Sequence, residues 1–256
     1  MKRFLEEIVA DKRDEVASKK IAAPMNVLME QAKRTAVRDF RAAISKGRVI
    51  AELKARTPTI TRFAQSLRLE ELARTYQRCG AVAISVVTDE KRFGTSMETV
   101  RRVRELTTLP VLAKEFVIDP YQLVEARAAG ADAVLLIVRL LEINALAQML
   151  EIVRRLGMSA LVETHTAEEI EVALAAGADI VGINNRDLDR MEVSLDTTRQ
   201  LAKGVPEGVL VVAESGIQSR ADIDDLAAHG AHAFLVGNAL LSSENPEEKL
   251  RELVGP

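Results

Sequence analysis

Four Gly-Ala pairs, each followed by an apolar run, divide most of this chain into segments of similar length. The pairs begin at Gly80, Gly130, Gly177 and Gly230, at successive spacings of 50, 47 and 53 residues. Glycine readily adopts the left-handed conformation that ends a helix, so each pair predicts the end of a helix and the start of a strand. The repeat therefore predicts a fold in which helices and strands alternate.

A second set of apolar runs begins between these pairs at a similar spacing, near Val49, Pro110, Met158 and Val209. The two sets together predict eight strands, at residues 49–54, 82–87, 110–114, 132–137, 158–163, 179–184, 209–214 and 232–236. Eight strands that alternate with helices in about 250 residues are typical of an α/β fold, the closed (β/α)8 TIM barrel. A doubly wound open sheet competes with it, but such a sheet usually has fewer strands, and no Gly-x-Gly-x-x-Gly motif follows the first strand.

The residues before the first strand predict helices. Apolar residues recur there at near-helical spacing, at Phe4, Leu5, Ile8, Val9 and Val16. Asn26 is predicted to cap a second short helix after Pro24, and a third short helix is expected from about Asp39 to Ser45. We predict a single domain over residues 1–256, in which a helical preface of residues 1–48 packs on eight βα units of residues 49–256.

Charge and composition exclude several classes of protein. The chain of 256 residues has 35 basic and 38 acidic side chains and no long basic run, which argues against a nucleic-acid binder or a membrane-surface protein. No stretch approaches a membrane-spanning length, and residues 1–20 lack the apolar core of a signal peptide. The single cysteine, Cys79, excludes an intramolecular disulfide and is expected to pack in the core, so a cytoplasmic location is predicted.

The first predicted strand delivers an acid and a base to one place. Glu52 and Lys54 are two residues apart in an otherwise apolar run, so their side chains point to the same face. A buried ion pair is costly unless it is fully hydrogen-bonded or has a function. This stretch therefore favours a functional site over a structural ion pair.

The odd-numbered strands each end in a charged residue, namely Lys54, Lys114, Glu163 and Glu214. Alternate strands of a barrel contribute to one layer, so these four side chains are predicted to form a ring at the catalytic face, with Glu52 one layer deeper and Asn184 close by. Lysines and carboxylates in contact supply proton donors and acceptors, and no metal is required. A structural ion-pair ring is the alternative interpretation.

Two glycine-containing loops indicate a phosphate site. Ser215-Gly216 follows the seventh strand and Gly237-Asn238 follows the eighth, where barrels commonly bind phosphate through backbone N–H groups. The histidines are poor candidates for ligands or catalysts. Only His165 lies near the mouth of the barrel, and it is expected to be a loop residue whose polar atoms are satisfied locally.

At these positions the sequence resembles the indole-3-glycerol phosphate synthase family of the ribulose-phosphate-binding barrels. The resemblance covers nearly the whole chain and is specific at residues 50–54, 83–90, 112–122, 161–165, 182–188, 212–217 and 234–240. It implies a carboxy-lyase of tryptophan biosynthesis. The implied reaction is a cofactor-free conversion of 1-(2-carboxyphenylamino)-1-deoxyribulose 5-phosphate to indole-3-glycerol phosphate, with loss of carbon dioxide and water.

The resemblance also assigns the site residues. The implied catalytic residues are Lys114, Glu163, Lys54, Glu52, Asn184 and Ser215. The implied substrate-binding residues are Thr57, Phe116, Arg186, Glu214, Gly216, Leu235, Gly237 and Asn238. No metal and no cofactor is implied.

The roles follow from what the implied reaction requires. Ring closure needs a proton on the ketone oxygen, and Lys114 resembles the general acid of the family. Glu163 is expected to stabilise or deprotonate the anilino nitrogen, Lys54 to help expel the hydroxyl, and Glu52 to orient or exchange protons with the lysines. Arg186 and Asn184 are expected to hold the substrate carboxylate and hydroxyls, and Phe116 to form an apolar wall for the anthranilate ring.

Some positions depart from the family pattern. Residues 57–61 read Thr-Pro-Thr-Ile-Thr where the family usually has Ser-Pro-Ser and a small or glycine-containing loop, and residues 60 and 61 are expected to stiffen it. Residues 93–96 and Asn238 also differ from the common pattern. The alternatives are another ribulose-phosphate barrel enzyme, similar to phosphoribosylanthranilate isomerase, and a non-catalytic or redesigned phosphate-binding barrel. A monomer or a weak homo-oligomer is expected.

Overall fold

A computed structural model of the chain describes residues 2–46, 48–57, 68–187 and 190–255. These residues form eight strands, which are β1 (Val49–Leu53), β2 (Ala83–Val87), β3 (Val111–Lys114), β4 (Ala133–Ile137), β5 (Ser159–Thr164), β6 (Ile180–Asn184), β7 (Leu210–Glu214) and β8 (Ala233–Val236). The strands are parallel and pair in chain order, and β8 pairs with β1, which closes the barrel. The predicted (β/α)8 barrel is confirmed, and each predicted strand bound lies within one residue of the observed one.

Helices precede the barrel and follow its strands. Within the described residues they are α1 (Lys2–Ala22), α2 (Met25–Ala32), α3 (Phe40–Lys46), α4 (Leu69–Arg78), α5 (Glu90–Phe93), α6 (Met97–Leu106), α7 (Pro120–Ala128), α8 (Ile143–Arg155), α9 (Ala167–Ala175), α10 (Asp196–Leu201), α11 (Arg220–Ala228), α12 (Asn238–Leu241) and α13 (Pro246–Val254). Short 3-10 helices lie at Val138–Leu140 and Ala202–Gly204. None of the described helices has the length and apolarity that a membrane span requires.

The alternation of side chains along each strand separates two apolar cores. Val49, Ala51 and Leu53 point outward and join the core between the strands and the surrounding helices. Ile50 points inward and joins a smaller core inside the barrel. Glu52 has the same parity as Ile50, so the strand directs this carboxylate into the barrel and toward its carboxyl-terminal mouth.

The helical preface contacts the barrel in two places. Phe40 and Ile44 of α3 belong to the core inside the barrel, and only two residues separate α3 from β1, so α3 covers the end opposite the strand carboxyl ends. Val16 of α1 and Leu28 of α2 pack with Tyr121 of α7. The preface therefore supports the barrel from below and from one side.

The sequence prediction for the start of α2 was wrong. Asn26 lies inside the helix, and Pro24 occupies the N-cap position. The backbone carbonyl of Pro24 accepts from the N–H groups of Val27 and Leu28, which begins the helical hydrogen bonds before Asn26 can cap them. Cys79 is buried in the outer core, as predicted.

Candidate active site

A cavity of about 490 Å³ opens at the carboxyl ends of the strands. Of the predicted site residues, those that line it are Glu52, Lys54, Lys114, Phe116, Glu163, Asn184, Arg186, Glu214, Ser215, Gly216, Leu235, Gly237 and Asn238. Thr57 is half-buried three residues after Lys54 and is not among the described residues that line the cavity, so its role stays a prediction. Residues 58–61 of the unusual loop lie outside the described residues.

Lys114 lies at the centre of a buried charge cluster. It ends β3, and its Nζ lies 3.4 Å from Oε2 of Glu163 and donates a hydrogen bond to Oε2 of Glu214. Burial disfavours the charged lysine, but the carboxylates of Glu214 and Glu163 outweigh it, so the pKa of Lys114 is raised. The side chain is 18% exposed, which leaves the ammonium accessible from the cavity as a proton donor.

Glu214 is the most strongly perturbed carboxyl of the cluster. Burial, reinforced by Glu163 and opposed by Lys114, raises the pKa of Glu214 to about 7. Its Oε1 has no hydrogen-bond partner among the described residues. A Cβ added to Gly182 of β6 would lie 2.3 Å from that oxygen, so any larger residue at position 182 would clash with the carboxyl group of Glu214. Glu214 can therefore hold or release a proton near neutral pH.

A second pair lies at the end of β1. Lys54 Nζ donates to Oε1 of Glu52 at 2.6 Å, and both side chains are buried. Burial works to raise the pKa of Glu52, but Lys54 and Lys114 outweigh it, so the pKa of Glu52 is lowered. The four charged residues of the predicted ring therefore form two separate groups. Lys54 pairs with Glu52, whereas Lys114 pairs with Glu163 and Glu214.

Asn184 connects the charge cluster to the segment that follows β6. Its Nδ2 donates to Oε1 of Glu163 at 3.1 Å, and its Oδ1 accepts from the backbone N–H of Arg186 at 3.0 Å. Arg186 forms an antiparallel bridge with Val193, which holds the segment after β6 at the rim of the cavity. Nη1 of Arg186 donates to the backbone carbonyl of Met191 at 3.3 Å, and the planar guanidinium has further N–H groups that can bind a carboxylate through two hydrogen bonds.

The two predicted phosphate loops lie side by side, because β7 and β8 are neighbours. Ser215 and Gly216 both have positive φ, of 66° and 85°. A Cβ on Gly216 would lie 2.6 Å from a methyl group of Val193, so only glycine fits the turn. Gly237 also packs tightly, since its Cβ would lie 2.3 Å from Oε1 of Glu52. The loops bring backbone close to the cavity, as phosphate binding requires.

An acidic residue that sequence analysis did not single out joins the helical preface to the site. Glu115 accepts from the backbone N–H of Phe116 at 2.8 Å and from Oγ1 of Thr88 at 3.0 Å. Its Oε1 lies 3.0 Å from Nζ of Lys12, a buried lysine of α1 that is also 3.5 Å from Asp89. The preface therefore neutralises a carboxylate that holds the backbone beside Lys114.

Sequence analysis also missed apolar residues of the wall. Val87 at the end of β2 and Leu135 and Ile137 of β4 line the cavity beside the charged residues. The alternation of side chains along a strand could have identified these three residues, because each lies an even number of positions from an inward-facing residue of its strand. The sequence prediction used only the charged residues at the strand ends. Phe93 ends the short helix α5 and Val193 lies in the segment after β6, and no periodic pattern marks either residue.

His165 differs from its expected role as a locally satisfied loop residue. It follows β5 and is buried, with Nδ1 3.1 Å from Oε2 of Glu169. Its Nε2 lies 3.4 Å from Oε1 of Glu163 and has no hydrogen-bond partner among the described residues. One ring nitrogen is therefore satisfied locally, and the other faces the charge cluster.

Comparisons with known proteins agree with this geometry. The sequence profile of the family described as Indole-3-glycerol phosphate synthase matches residues 5–253. Proteins named indole-3-glycerol phosphate synthase are similar over nearly their full lengths. The protein from Mycolicibacterium vanbaalenii is 44% identical over 98% of this chain and 93% of its own. The protein from Aromatoleum aromaticum is 43% identical over 100% of both chains.

A solved structure supports the fold alone. Thiamine phosphate pyrophosphorylase from Pyrococcus furiosus superimposes with a TM-score of 0.62 at 19% identity, over 83% of this chain and 95% of that one. At this identity the likeness extends to the barrel and not to the chemistry of its mouth.

Proposed function

Since the chain belongs to the indole-3-glycerol phosphate synthase family and its function is that family's carboxy-lyase reaction in tryptophan biosynthesis, we propose a role in this reaction for the residues that line the cavity. The observation that carries the proposal is the contact of the Lys114 ammonium with two buried glutamates at the cavity. The substrate is 1-(2-carboxyphenylamino)-1-deoxyribulose 5-phosphate.

Lys114 is the general acid for ring closure. The aromatic carbon that bears the carboxylate attacks the ketone carbon, and the ketone oxygen takes a proton from Nζ of Lys114. A positioned acid of this kind contributes about 10²–10⁴-fold to the rate. Glu214, whose pKa is raised to about 7, and Glu163 both contact the ammonium and hold it in place.

Decarboxylation and dehydration follow. Carbon dioxide leaves and its bonding electrons return to the ring, which becomes aromatic again. The new hydroxyl then departs as water with a proton from Lys54, and the neighbouring carbon loses a proton to give the indole. Glu163 stabilises or deprotonates the anilino nitrogen in this step, while Glu52, bonded to Lys54 at 2.6 Å, orients that lysine and exchanges protons with it.

The rest of the cavity binds the substrate. The backbone of the Ser215-Gly216 and Gly237-Asn238 loops holds the phosphate, and Phe116 forms the wall for the anthranilate ring. Arg186 holds the substrate carboxylate until it leaves. Leu235 and Asn184 complete the contacts to the ribulose chain, and Thr57, three residues after Lys54, offers a hydroxyl for substrate binding.

We further propose that residues 1–256 act as one domain in the cytoplasm, as a monomer or a weak homo-oligomer that binds a phosphorylated small molecule and no nucleic acid. The packing of α1 and α2 on α7 and the slight acidic charge support this proposal.

The test is to incubate the purified chain with the carboxyphenylamino substrate and to follow the fluorescent indole product. Lys114→Met should lose about 10²-fold or more of kcat, whereas the exposed Lys33→Met should match the parent. Product from the parent and from Lys33→Met but not from Lys114→Met supports the proposal. Equal rates in the parent and Lys114→Met would overturn the assignment of the acid.

A further inference from the structure

His165 is a buried titratable residue for which the proposed chemistry has no role. It directly follows β5, two residues after Glu163, and its side chain is 3% exposed. Its backbone N–H donates to Oε2 of Glu169 at 2.6 Å, and its Nδ1 lies 3.1 Å from the same oxygen. The ring is therefore held with Nε2 3.4 Å from Oε1 of Glu163.

The partner on the Nδ1 side is an ionised carboxylate. Glu169 belongs to α9 and also accepts from Nε of Arg139 at 2.5 Å. Burial works to raise the pKa of Glu169, but the hydrogen bonds from His165 and Arg139 outweigh it, so the pKa is lowered. An ionised carboxylate only accepts hydrogen bonds, so Nδ1 of His165 carries a proton.

The partner on the Nε2 side is also a carboxylate held by donors. Oε1 of Glu163 accepts from Nδ2 of Asn184 at 3.1 Å, and Oε2 lies 3.4 Å from Nζ of Lys114. In both contacts Glu163 is the hydrogen-bond acceptor. A neutral ring with its proton on Nδ1 would turn the lone pair of Nε2 toward this oxygen, which is repulsive, whereas a proton on Nε2 makes a hydrogen bond.

We propose that His165 carries a proton on both ring nitrogens and is a positioning residue that holds Glu163 through an Nε2–H···Oε1 hydrogen bond. Asn184 and His165 then fix one oxygen of Glu163, and the other oxygen is left for Lys114 and the substrate. This inference rests on the proposed role of Glu163 in the reaction. It adds a chain of contacts from the rim to the cluster, through Arg139, Glu169 and His165 to Glu163.

Nitrogen NMR of the imidazole rings tests the proton arrangement without any activity. The chain has three histidines, so the spectrum is simple, and His229 and His232 are internal references. At neutral pH both ring nitrogens of His165 should show the shifts of N–H groups. In Glu163→Gln the side-chain amide can donate to Nε2, so the ring should become neutral with its proton on Nδ1. A proton-free Nε2 in the parent would overturn the proposal.

Two substitutions separate positioning from packing. In His165→Gln the amide reaches the place of Nε2 and keeps an N–H that cannot titrate, whereas in His165→Asn it reaches only the place of Nδ1. His165→Asn should lose about tenfold in kcat with a KM within about twofold of the parent, because Glu163 is misplaced. His165→Gln should retain kcat within about threefold of the parent, because its amide N–H still reaches Oε1 of Glu163.

The two experiments fail in different ways. Equal losses of kcat in both variants, with equal losses of thermal stability, would leave a packing role and overturn the positioning role. A parent that makes no indole product would overturn the proposed function, while the NMR result would still decide where the protons of His165 lie.

Discussion

Replacing Lys12 with methionine should destabilise the chain far more than replacing a surface lysine. Lys12 belongs to α1 and is 1% exposed. Its Nζ lies 3.0 Å from Oε1 of Glu115, 3.5 Å from Oδ2 of Asp89 and 2.7 Å from Oε2 of Glu15. The ammonium of Lys12 is therefore the cation that pairs with the buried Glu115 at the cavity wall, and it shares Asp89 with Arg92.

The expected magnitude follows from what is left behind. Removing one partner of a buried ion pair costs about 3–5 kcal/mol in the free energy of unfolding, because the remaining charge is uncompensated. Burial already raises the pKa of Glu115, and Lys12 is the main opposing group. Without Lys12 this carboxyl binds a proton more readily in the folded state. The loss of stability should therefore be greatest at alkaline pH and should shrink as the pH falls and the carboxyl becomes protonated.

Urea unfolding at several pH values measures the effect, with the midpoint compared at constant slope. Lys33→Met is the matched control, because Lys33 pairs with Glu30 at 2.6 Å and both side chains are 66% exposed. An exposed pair of this kind contributes little to stability, because water and salt screen the two charges. The reasoning would be refuted by a Lys12→Met variant as stable as Lys33→Met at about pH 8, or by a loss that does not change with pH.

Further predictions concern the cavity. In the parent, the folded state keeps the proton of Glu214 up to about pH 7, whereas an unperturbed glutamate loses it near pH 4.5. The free energy of unfolding of the parent should therefore fall by about 3 kcal/mol between about pH 4.5 and pH 7. Glu214→Gln should abolish this fall when unfolding is measured as a function of pH. Gly237→Ala places a Cβ 2.3 Å from Oε1 of Glu52, and displacement of the Glu52–Lys54 pair should lower kcat/KM by about 10²-fold in steady-state assays; a variant within about twofold of the parent would contradict this. Arg186→Lys should raise KM by about tenfold with a smaller change in kcat, because it loses the two-hydrogen-bond contact to the carboxylate.

Most of the fold was predictable from the sequence, because a barrel repeats one βα unit eight times. The Gly-Ala pairs and apolar runs located every strand within one residue, and the spacing of Glu52 and Lys54 already placed their side chains on one face of the first strand. The cap of α2 was predicted wrongly, since a local preference for Asn26 was overridden by the carbonyl of Pro24. A backbone hydrogen bond of this kind leaves no sequence pattern.

The charged residues of the candidate site were predictable, but their partners were not. Strand ends bring Lys114, Glu163 and Glu214 to the same mouth, and that follows from spacing. Which carboxylate contacts which ammonium depends on distances of a few ångströms between strands. The contacts of Lys12 and His165 are further examples, because one crosses from the preface and the other depends on the orientation of a ring.

The assignment of Lys114 to ring closure is tested most directly by carbon dioxide release in a single turnover, followed together with the indole product. The parent should release both in equal amounts. Lys114→Met should bind the substrate and release neither, because decarboxylation requires the closed ring. Lys54→Met should release carbon dioxide ahead of indole, because its defect lies in dehydration. Carbon dioxide released by Lys114→Met at the parental rate would contradict the account.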